Sequence, residues 1–579
     1  MEKKELLNKI KSKFILNYIF DYIKDTNFKL KLFIHSKLNQ NRLDLKLIYK
    51  ELILIKTKFD LGNYLYRESD NKYILNTDYK NFLLKNKLNK ENFEKNLYEI
   101  LIHKEIENTK GEDKKEDYNK IDIDSPLFEL MSKTKQFEKY TVNISNIDDR
   151  LNEDYIILFN KLNKSDINYT SIYYKLNDIK KLNYLGEYNL DFNKIKRIIL
   201  VLFIYDDINE DFKSYFDTFF AFNGIQNNLS YLKIECKIYN YFNIDFFENV
   251  NFKQLKELDL SSSKITDIRA LEKVKIETLE KLNLSNNEIS NIDILENVNF
   301  KELKELDFSY NKISDIKVLE KVKFDKLEKL NLRDNGISNI DILENVNFKE
   351  LKDLDLSYIK NENLKVLEKV KFEKLEKIKL RGNKIKNIEF LENVNFKELK
   401  ELNLFRNILS DIEVLEKVKF EKLEKLNLEN NRISNINILE KVNFKELKEL
   451  YLSNNEISDI RVLENVQFEK LEILNLRDNE LSNIDILENV NFRELKELDL
   501  SQNINIRNIE VLEKVKFEKL EKLCLAKDRI KNIDVLKNVN FKELKELDLS
   551  WNYISDIKIL ETLKFEKLEK INIGKQSPF

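Results

Sequence analysis

Cysteine, histidine, glycine and proline are scarce in this chain of 579 residues, which contains two Cys, two His, seven Gly and two Pro. Cys236 and Cys524 lie far apart in sequence and give no disulfide framework, and His35 and His103 have no partner at the spacing of metal ligands. The chain also lacks a glycine-rich phosphate loop and a nucleophile motif. We therefore expect no cofactor and no metal, and we expect that the protein is not an enzyme.

An excess of charge of one sign is also lacking, because 101 Lys and Arg residues stand against 103 Asp and Glu residues. The lysines are interleaved with carboxylates, whereas a nucleic-acid site needs a sustained basic excess, so we expect no nucleic-acid partner. The longest apolar run, residues 198–205, is far too short to span a bilayer. The N-terminal MEKKELLNKIKSKF alternates apolar with charged residues and does not resemble a secretory signal. These features predict a cytoplasmic protein with no membrane partner.

More than half of the chain, from about Phe252 to the C-terminus, consists of near-copies of one 24-residue unit. Each copy contains the pattern LxxLxLxxNxI, as in LKELDFSYNKI at residues 303–313, and we number positions from its first leucine. A 25-residue step interrupts the regular spacing once, between Leu495 and Leu520. The first leucines are Leu255, Leu279, Leu303, Leu327, Leu351, Leu375, Leu399, Leu423, Leu447, Leu471, Leu495, Leu520, Leu544 and Leu568. Such a period predicts a solenoid of stacked coils.

Within each unit the pattern predicts a short parallel strand, a turn and a helical return. The leucines at positions 1, 4 and 6 face one side of the strand, and positions 3 and 5 face the other. The asparagine at position 9 can bond the backbone of its own turn and of the next coil. Four units depart from asparagine there, with Ser263, Ile359, Asp528 and Gln576. We expect an altered turn in repeat five, at residues 357–367, and an outward bulge at residues 501–509, where the extra residue lies.

The second half of each unit reads ISDIxVLExVxF, with apolar residues at the spacing of one or two inward-facing helical turns. The convex side is therefore predicted to be helical or 3₁₀. A phenylalanine recurs at position 22 in nearly every unit, and Ile276 replaces it once. A residue repeated at a core-facing position predicts a packed spine, and a ligand-binding aromatic stripe is the alternative.

The unit is identified as a leucine-rich repeat, and its NxISDIxVLExV part is similar to the repeats of internalins and of the regulatory subunit of protein phosphatase 1. Those families have shorter units, so the present chain is a 24-residue variant. The resemblance implies an α/β fold, a leucine-rich repeat solenoid or horseshoe with a parallel concave sheet. It also implies a protein-binding scaffold, without naming the partner.

Charges alternate from repeat to repeat at two strand positions. Position 2 changes between Lys and Glu from Lys256 to Glu569, and position 3 alternates in the opposite phase, with a lapse at Ile473. Because neighbouring strands are about 4.8 Å apart, this arrangement predicts cross-strand ion-pair ladders. The ladders leave the concave face nearly neutral, so binding is expected where the repeats differ from one another.

The repeats differ most at positions 7 and 8, where aromatic and arginine residues recur, which are types enriched at protein interface hot spots. Position 5 adds a tyrosine and position 3 an isoleucine. Drift at an exposed position explains any one of these residues, but the set predicts a concave protein-binding surface centred on repeats three to ten. The predicted protein-binding residues are Tyr310, Arg333, Tyr358, Arg381, Phe405, Arg406, Tyr451, Ile473, Arg477 and Trp551.

Residues 1–105 differ in character, with apolar residues at helical spacing from Leu7 to Ile23, and they predict a small helical N-terminal domain. Residues 14–43 loosely resemble an F-box, although its entry Leu-Pro and its tryptophan are absent. The residues that carry the likeness are Ile19, Phe20, Tyr22, Ile23, Ser36 and Lys37. The resemblance implies an alternative function, a substrate adaptor of a cullin ubiquitin ligase that docks a cullin adaptor through residues 1–105. The other interpretation is an ordinary helical domain whose apolar residues form its core.

Two further segments connect this domain to the repeats. Residues 106–126 are predicted to be a charged linker that ends at Pro126. Residues 127–250 are irregular and contain two stretches, NKIKRIILVLFIYDD and NLSYLKIECKIYNYF, that resemble degenerate strands. They are predicted to form the N-terminal cap, which a solenoid needs to cover its first coil. The solenoid itself occupies residues 251–579 with about 14 repeats, and its last coil is truncated.

Overall fold

The computed structural model describes residues 64–67, 72–75, 140–145, 169–176, 196–202, 210–221, 225–236 and 241–576, the last range with gaps at 360, 362, 363, 564 and 575. The chain divides into two units, Met1–Tyr173 with Tyr184–Lys194, and Tyr174–Asn183 with Ile195–Phe579. The F-box-like segment at residues 14–43 and the charged linker at 106–126 lie outside the described residues.

The first unit contains a β-hairpin inside the span that was expected to be helical. Strand β1 (Tyr64–Arg67) pairs antiparallel with strand β2 (Lys72–Leu75). Their sequences, YLYR and KYIL, are rich in aromatic and β-branched residues, which favour strands. These eight residues are therefore strand, and the helical spacing between Leu7 and Ile23 does not extend to them. Strands β3 (Tyr140–Ser145) and β4 (Tyr169–Leu176) follow in the chain.

The second unit contains a leucine-rich repeat solenoid, in which strands β5 (Arg197–Leu202) and β6 (Tyr231–Cys236) precede one three-residue strand per repeat. From β6 to β19 each strand pairs parallel and residue for residue with the strand before it and the strand after it. The repeat strands are β7 (Glu257–Asp259), β8 (Lys281–Asn283), β9 (Glu305–Asp307), β10 (Lys329–Asn331), β11 (Asp353–Asp355), β12 (Lys377–Lys379), β13 (Glu401–Asn403), β14 (Lys425–Asn427), β15 (Glu449–Tyr451), β16 (Ile473–Asn475), β17 (Glu497–Asp499), β18 (Lys522–Cys524), β19 (Glu546–Asp548) and β20 (Lys570–Asn572).

On the return side of each coil, positions 15 to 18 form a 3₁₀ turn, as the spacing predicted. These turns are Arg269–Glu272, Asp293–Glu296, Lys317–Glu320, Asp341–Glu344, Lys365–Glu368, Glu389–Glu392, Glu413–Glu416, Asn437–Glu440, Arg461–Glu464, Asp485–Glu488, Glu510–Glu513, Asp534–Lys537 and Lys558–Thr562. Between strand and turn lies the core, where the leucines of positions 1, 4 and 6 are buried. The phenylalanines of position 22 are at most 2 % exposed from Phe300 to Phe541. They form a core spine, and a ligand-binding stripe is excluded.

The coil that precedes the first repeat is filled by phenylalanines. Helices α1 (Glu210–Ala221) and α2 (Ile225–Asn228) lie between β5 and β6, and a 3₁₀ turn at Asp245–Asn249 follows β6. The rings of Phe216 and Phe246 stack with centroids 4.1 Å apart, and Phe246 contacts Phe247 at 4.4 Å. All three rings are buried. They cover the apolar side of the first repeat, which would otherwise face water.

The asparagine at position 9 joins each turn to the coil before it, as predicted. In repeat eight, Asn431 Oδ1 accepts a hydrogen bond from the backbone N–H of Leu409 over 3.0 Å. Its Nδ2 donates to the carbonyls of Leu404 and Leu428 over 3.1 and 3.0 Å. Gln576, one of the four departures from asparagine, makes the same bonds through its longer side chain, with Ile554 N–H and two carbonyls. An amide on a longer side chain therefore makes the same bonds as asparagine at this position.

The two predicted irregularities have different structures. In repeat five the buried side chain of Ile359 cannot bond the neighbouring coil, and only its backbone N–H does so, donating to Asn383 Oδ1 over 2.9 Å. In the 25-residue repeat, the N–H of Ile506 donates to the carbonyl of Asn503 over 2.9 Å and closes an additional turn. This turn leaves Ile504 49 % exposed, so the extra residue bulges outward.

Asp528 places a carboxyl group at position 9, where most repeats have asparagine. It is fully buried, and one of its oxygens accepts from the backbone N–H of Asn503 over 2.7 Å. Its Oδ2 has no hydrogen-bond partner within the described residues, at the place where other repeats donate an amide N–H to backbone carbonyls. Burial raises the pKa of Asp528 to about 9, so the carboxyl is protonated at neutral pH and can act as a donor there.

Replacing Asp528 with asparagine is expected to stabilise the protein and to remove a pH dependence. An acid whose pKa rises on folding stabilises the fold most below its ordinary pKa of 3.8, and this contribution is lost as the pH rises toward 9. We expect the urea midpoint of the native protein to fall between pH 5 and pH 9. We expect Asp528→Asn to raise the free energy of unfolding at pH 8 by about 1–3 kcal/mol. Circular dichroism during urea titration measures both.

The matched control is Asp478→Asn, at an exposed position 8 where other repeats carry asparagine. It should leave the pH dependence unchanged. If the urea midpoint of Asp528→Asn still falls as the pH rises, another group causes the pH dependence.

Candidate functional site

Position 5 at the end of each strand fixes the turn that carries positions 7 and 8. In eleven repeats an Asp or Asn at position 5 accepts a hydrogen bond from the backbone N–H of position 7, as Asn331 does from Arg333 over 3.1 Å. This is an Asx turn, which orients the chain as it leaves the strand. The signal for it, an Asp or Asn two residues before position 7, is present in the sequence of these repeats.

Two repeats without an Asx residue at position 5 use a serine instead. Where Lys379 occupies position 5, the N–H of Arg381 donates to the hydroxyl of Ser357 in the preceding repeat over 3.2 Å. Ser501 performs the same task for the repeat of Cys524, also over 3.2 Å. The turn geometry is therefore kept while position 5 carries a different side chain.

Position 8 has a left-handed backbone in all thirteen repeats in which it is described, with φ between 53° and 65°. Gly, Asn and Asp adopt this conformation readily, whereas other residues pay about 1–2 kcal/mol. Tyr310, Tyr358, Arg406 and Trp551 occupy it nonetheless. The backbone does not favour these bulky side chains, so their presence points to a task beyond the turn.

The structure brings the predicted residues of repeats three to seven together. The Arg333 guanidinium lies between two rings, with Cζ 5.3 Å from the centroid of Tyr310 and 5.0 Å from that of Tyr358. Arg381 Cζ lies 4.5 Å above the ring of Phe405. We call the row of Tyr310, Arg333, Tyr358, Arg381, Phe405 and Arg406 the arginine–aromatic cluster.

Gly382 at position 8 of repeat six makes room for this row. Its φ is +65°, and a Cβ added to it would lie 2.9 Å from Cζ of the Tyr358 ring and closer still to Cδ1 and Cε1. Only a residue without a side chain therefore lets Tyr358 lie across the next coil. The glycine was not recognised from the sequence because the contact it permits joins residues 24 positions apart.

Arg333 and Arg381 have no carboxylate partner among the described residues, unlike most of the lysines that form the ladders. Arg333 and Arg381 form no ion pair with any described residue, and the Nε atom of each is buried without an acceptor. Elsewhere the predicted ladders are present, with Lys304 2.7 Å from Glu280 at position 2 and Lys425 2.7 Å from Glu449 at position 3. Within the described part of the cluster, ring faces alone compensate the two guanidinium charges.

The ladders also have consequences that the sequence did not indicate. Hydrogen bonds from Lys256 and Lys304 lower the pKa of Glu280 to about 2, so this carboxylate stays charged. A third ladder runs along position 24, where Lys374 lies 2.6 Å from Glu350. Most lysines of these three ladders are thus neutralised by carboxylates of the neighbouring repeats.

The other four predicted residues lie apart from the cluster. Tyr451 lies under Lys425, with Nζ 4.9 Å from the ring centroid, and its hydroxyl donates to Glu449 over 2.9 Å. Burial raises the pKa of Tyr451 well above its usual range. Ile473 is half-buried on the adjacent strand and interrupts the position 3 ladder. This group belongs to repeats nine and ten.

Arg477 and Trp551 complete the predicted set on later repeats. With the amide oxygen of Gln502 turned toward it, Arg477 Nε donates over 2.7 Å, so this guanidinium has an acceptor within the chain. Trp551 is 46 % exposed and lies under Lys527, with Nζ 5.7 Å from its ring. Neither residue contributes to the cluster of repeats three to seven.

The cysteines do not provide reactive thiols. Burial raises the pKa of Cys236 well above its usual value and that of Cys524 to about 12, so both thiols are protonated at neutral pH. Across the described ranges, His, Cys, Asp and Glu nowhere form a group of three that could hold a metal ion. The same part of the chain has no helix that is long and apolar enough to cross a membrane.

Comparisons with known proteins place the chain among repeat proteins. The family described as Leucine Rich repeats (2 copies) matches residues 277–321 and 421–465. An internalin (inlF) from Listeria monocytogenes is 25% identical over 57% of this chain and 83% of its own, with a TM-score of 0.41. No curated protein matches.

Two receptor structures are also similar. The ectodomain of the Arabidopsis thaliana receptor kinase GASSHO1/SCHENGEN3, in complex with CASPARIAN STRIP INTEGRITY FACTOR 2, is 15% identical over 69% of this chain and 58% of its own, with a TM-score of 0.40. The TLR13–ssRNA13 complex is 19% identical over 74% of this chain and 57% of its own, with a TM-score of 0.44.

Substituting Gly382 with alanine is expected to disturb the Tyr358 ring. The new Cβ overlaps the ring and also occupies a left-handed backbone, so we expect a loss of about 1–3 kcal/mol in stability. In a Tyr358→Ala background the overlap is gone, and the same substitution should cost about 1 kcal/mol less. Urea denaturation of the four variants in this double-mutant cycle measures the difference.

Gly336→Ala is the matched control, because its Cβ would lie 3.3 Å from the carbonyl oxygen of Ile313 and not against Tyr358. Its cost should be the same with and without Tyr358. Equal costs for Gly382→Ala in both backgrounds would refute the packing described here.

Proposed function

Because this chain is built of leucine-rich repeats, we propose that it is a scaffold that binds a partner protein on the sheet side of the solenoid. In this proposal the arginine–aromatic cluster is the central contact. The observation that carries it is the row of half-exposed rings and guanidinium groups that have no carboxylate partner within the described residues.

The cluster has the composition and rigidity of an interface hot spot. Aromatic and arginine side chains contribute most of the binding energy in many interfaces. Here each ring is already held against a guanidinium group of the neighbouring repeat, at 4.5 to 5.3 Å. A side chain that is ordered before binding loses little conformational entropy when the partner arrives.

The left-handed backbone of position 8 supports the same proposal. Position 8 carries an asparagine in several repeats, such as Asn286 and Asn430, and asparagine adopts the left-handed conformation at little cost. In the cluster the same position carries Tyr310, Tyr358 and Arg406, which cost the turn more. Three of the residues that cost the turn most therefore lie in the cluster, and others follow at Gln502, Lys527 and Trp551. Selection for binding explains why such residues persist there.

We propose binding without catalysis, and a protein partner in place of nucleic acid. The cluster contains no nucleophile or general base of ordinary type, and both thiols of the chain are protonated at neutral pH. The lysines of positions 2, 3 and 24 face carboxylates and do not form the continuous basic track that a phosphate backbone requires. We place the protein in the cytoplasm in this proposal, because its two cysteines are free thiols.

The test compares partner capture by the native chain and by the triple variant Tyr358→Ala, Arg381→Ala, Phe405→Ala. Affinity purification from the native cell with quantitative mass spectrometry should show partners on the native chain that decrease at least about tenfold on the variant, because three hot-spot side chains are removed. Circular dichroism checks that the variant is folded.

A control variant carries Lys317→Ala and Arg461→Ala on the 3₁₀ side of the solenoid, where both residues are exposed. It should retain the same partners as the native chain. Partners that survive the triple variant and disappear with the control would assign recognition to the other face and refute this proposal.

A further inference from the structure

We propose that the partner presents an acidic, extended peptide segment to the arginine–aromatic cluster, with two carboxylates three residues apart. This inference rests on the proposed function and specifies the chemistry of the partner. Three features of the described residues lead to it, namely the charge of the rim, the surroundings of the guanidinium groups and the spacing of the repeats.

The rim formed by positions 7, 8 and 10 is basic in repeats three to seven. Arg333, Arg381, Lys384 and Arg406 lie on it without an ion-pair partner among the described residues. Asp334 is the one carboxylate at these positions of the five repeats, as the sequence shows. The excess ends after repeat seven, because repeats eight to ten carry Glu429, Glu456, Asp478 and Glu480 at the same positions. A smaller basic pair, Lys527 and Arg529, recurs in repeat twelve. A ligand with negative charge is therefore favoured over a neutral one at this place.

The guanidinium groups of Arg333 and Arg381 are positioned but not neutralised. Two rings flank the Arg333 guanidinium and one lies under that of Arg381, and the Nε atoms lack acceptors. Stacking on a ring leaves the plane of a guanidinium group free to form hydrogen bonds at its edge. A carboxylate matches the paired N–H groups of that edge and would supply the missing negative charge.

The spacing of the repeats selects the form of the peptide. Arg333 and Arg381 occupy the same position two repeats apart, and Tyr310 and Tyr358 do so as well. With strands about 4.8 Å apart, two repeats correspond to about 9.6 Å along the sheet. A polyproline II segment rises about 3.1 Å per residue with three residues per turn, so its side chains i and i+3 lie on one face about 9.3 Å apart.

The alternatives fit this spacing less well. In a β-strand, side chains on one face are about 6.6 Å apart, and in an α-helix residues i and i+4 are about 6 Å apart along the axis. An extended polyproline II segment with acidic residues at i and i+3 places one carboxylate over Arg333 and the other over Arg381, and its intervening residues over the tyrosine rings. Prolines among them would stack on those rings.

The test uses the full chain and fluorescein-labelled synthetic peptides in anisotropy titrations at two ionic strengths. The probe has glutamate at every third position with proline and alanine between. We expect it to bind at least about tenfold more tightly than the same peptide with glutamine in place of glutamate, and more tightly than a peptide of equal charge with glutamate at every second position. Its affinity should fall as salt is added.

Variants connect the binding to the cluster. The double variant Arg333→Gln, Arg381→Gln should bind the glutamate peptide at least about tenfold more weakly than the native chain does, and its affinity for the glutamine peptide should be unchanged. Arg333→Lys with Arg381→Lys keeps the charge, and intermediate affinity is expected because lysine lacks the planar fork. The control is Arg461→Gln on the 3₁₀ side, where the arginine is already bonded to Asp459, and it should bind like the native chain.

Three outcomes would overturn the inference. Equal affinity for the glutamate and glutamine peptides would show that the rings, and not the charges, select the ligand. Tight binding of a single-stranded RNA of equal charge, without binding of either peptide, would assign the cluster to nucleic acid. Absence of peptide binding, while the triple variant still loses its captured partners, would refute the acidic segment and leave the proposed function in place.

Discussion

The buried amide at position 9 is the interaction on which the solenoid depends. The chain must leave a very short strand and turn back over the core, so backbone N–H and C=O groups are brought into an apolar interior where each needs a partner. One asparagine satisfies three of these backbone groups at once. Its amide N–H groups donate to one carbonyl of its own coil and to one carbonyl of the coil before, and its amide oxygen accepts from an N–H of the coil before. The row of amides therefore closes each turn and joins it to its neighbour, which sets the repeats in a common register.

The common register determines what the surface can do. Because every repeat pairs residue for residue with the next, side chains at the same position of successive repeats become neighbours. Opposite charges at positions 2 and 3 then form ion pairs, and a tyrosine that alternates with an arginine forms a stack. The ladders and the cluster are the same structural device with different residues. One neutralises the surface, and the other leaves two guanidinium groups without carboxylates.

The features that repeat in the sequence could be predicted, because periodicity alone places them. The strands, the 3₁₀ side, the phenylalanine spine, the amide row and the first two ladders follow from residues that recur at fixed positions. The site residues were proposed from the opposite signal, the places where repeats differ. The sequence did not show which of these residues contact one another. Arg333 and Arg477 occupy the same repeat position, but Arg333 lies between two rings whereas Arg477 bonds to Gln502.

What could not be predicted depends on a neighbour in another coil. The need for glycine at position 382 arises only because the Tyr358 ring lies over it. Asp528 is protonated only because position 9 of its repeat is buried in the stack of coils. Gln576 was interpreted as a departure from asparagine, although its amide reaches the same partners. The hairpin of β1 and β2 has no repeat to reveal it.

The alternating charges also constrain how the solenoid can change in length. Deleting a single internal repeat would set lysine beside lysine, or glutamate beside glutamate, at position 2 and place like charges next to each other at positions 3 and 24. Deleting two neighbouring repeats would restore every pair. Gain or loss of coils by recombination is therefore tolerated electrostatically in even numbers, and the arginine–aromatic row, which has the same two-repeat period, would lengthen or shorten by a tyrosine and an arginine together.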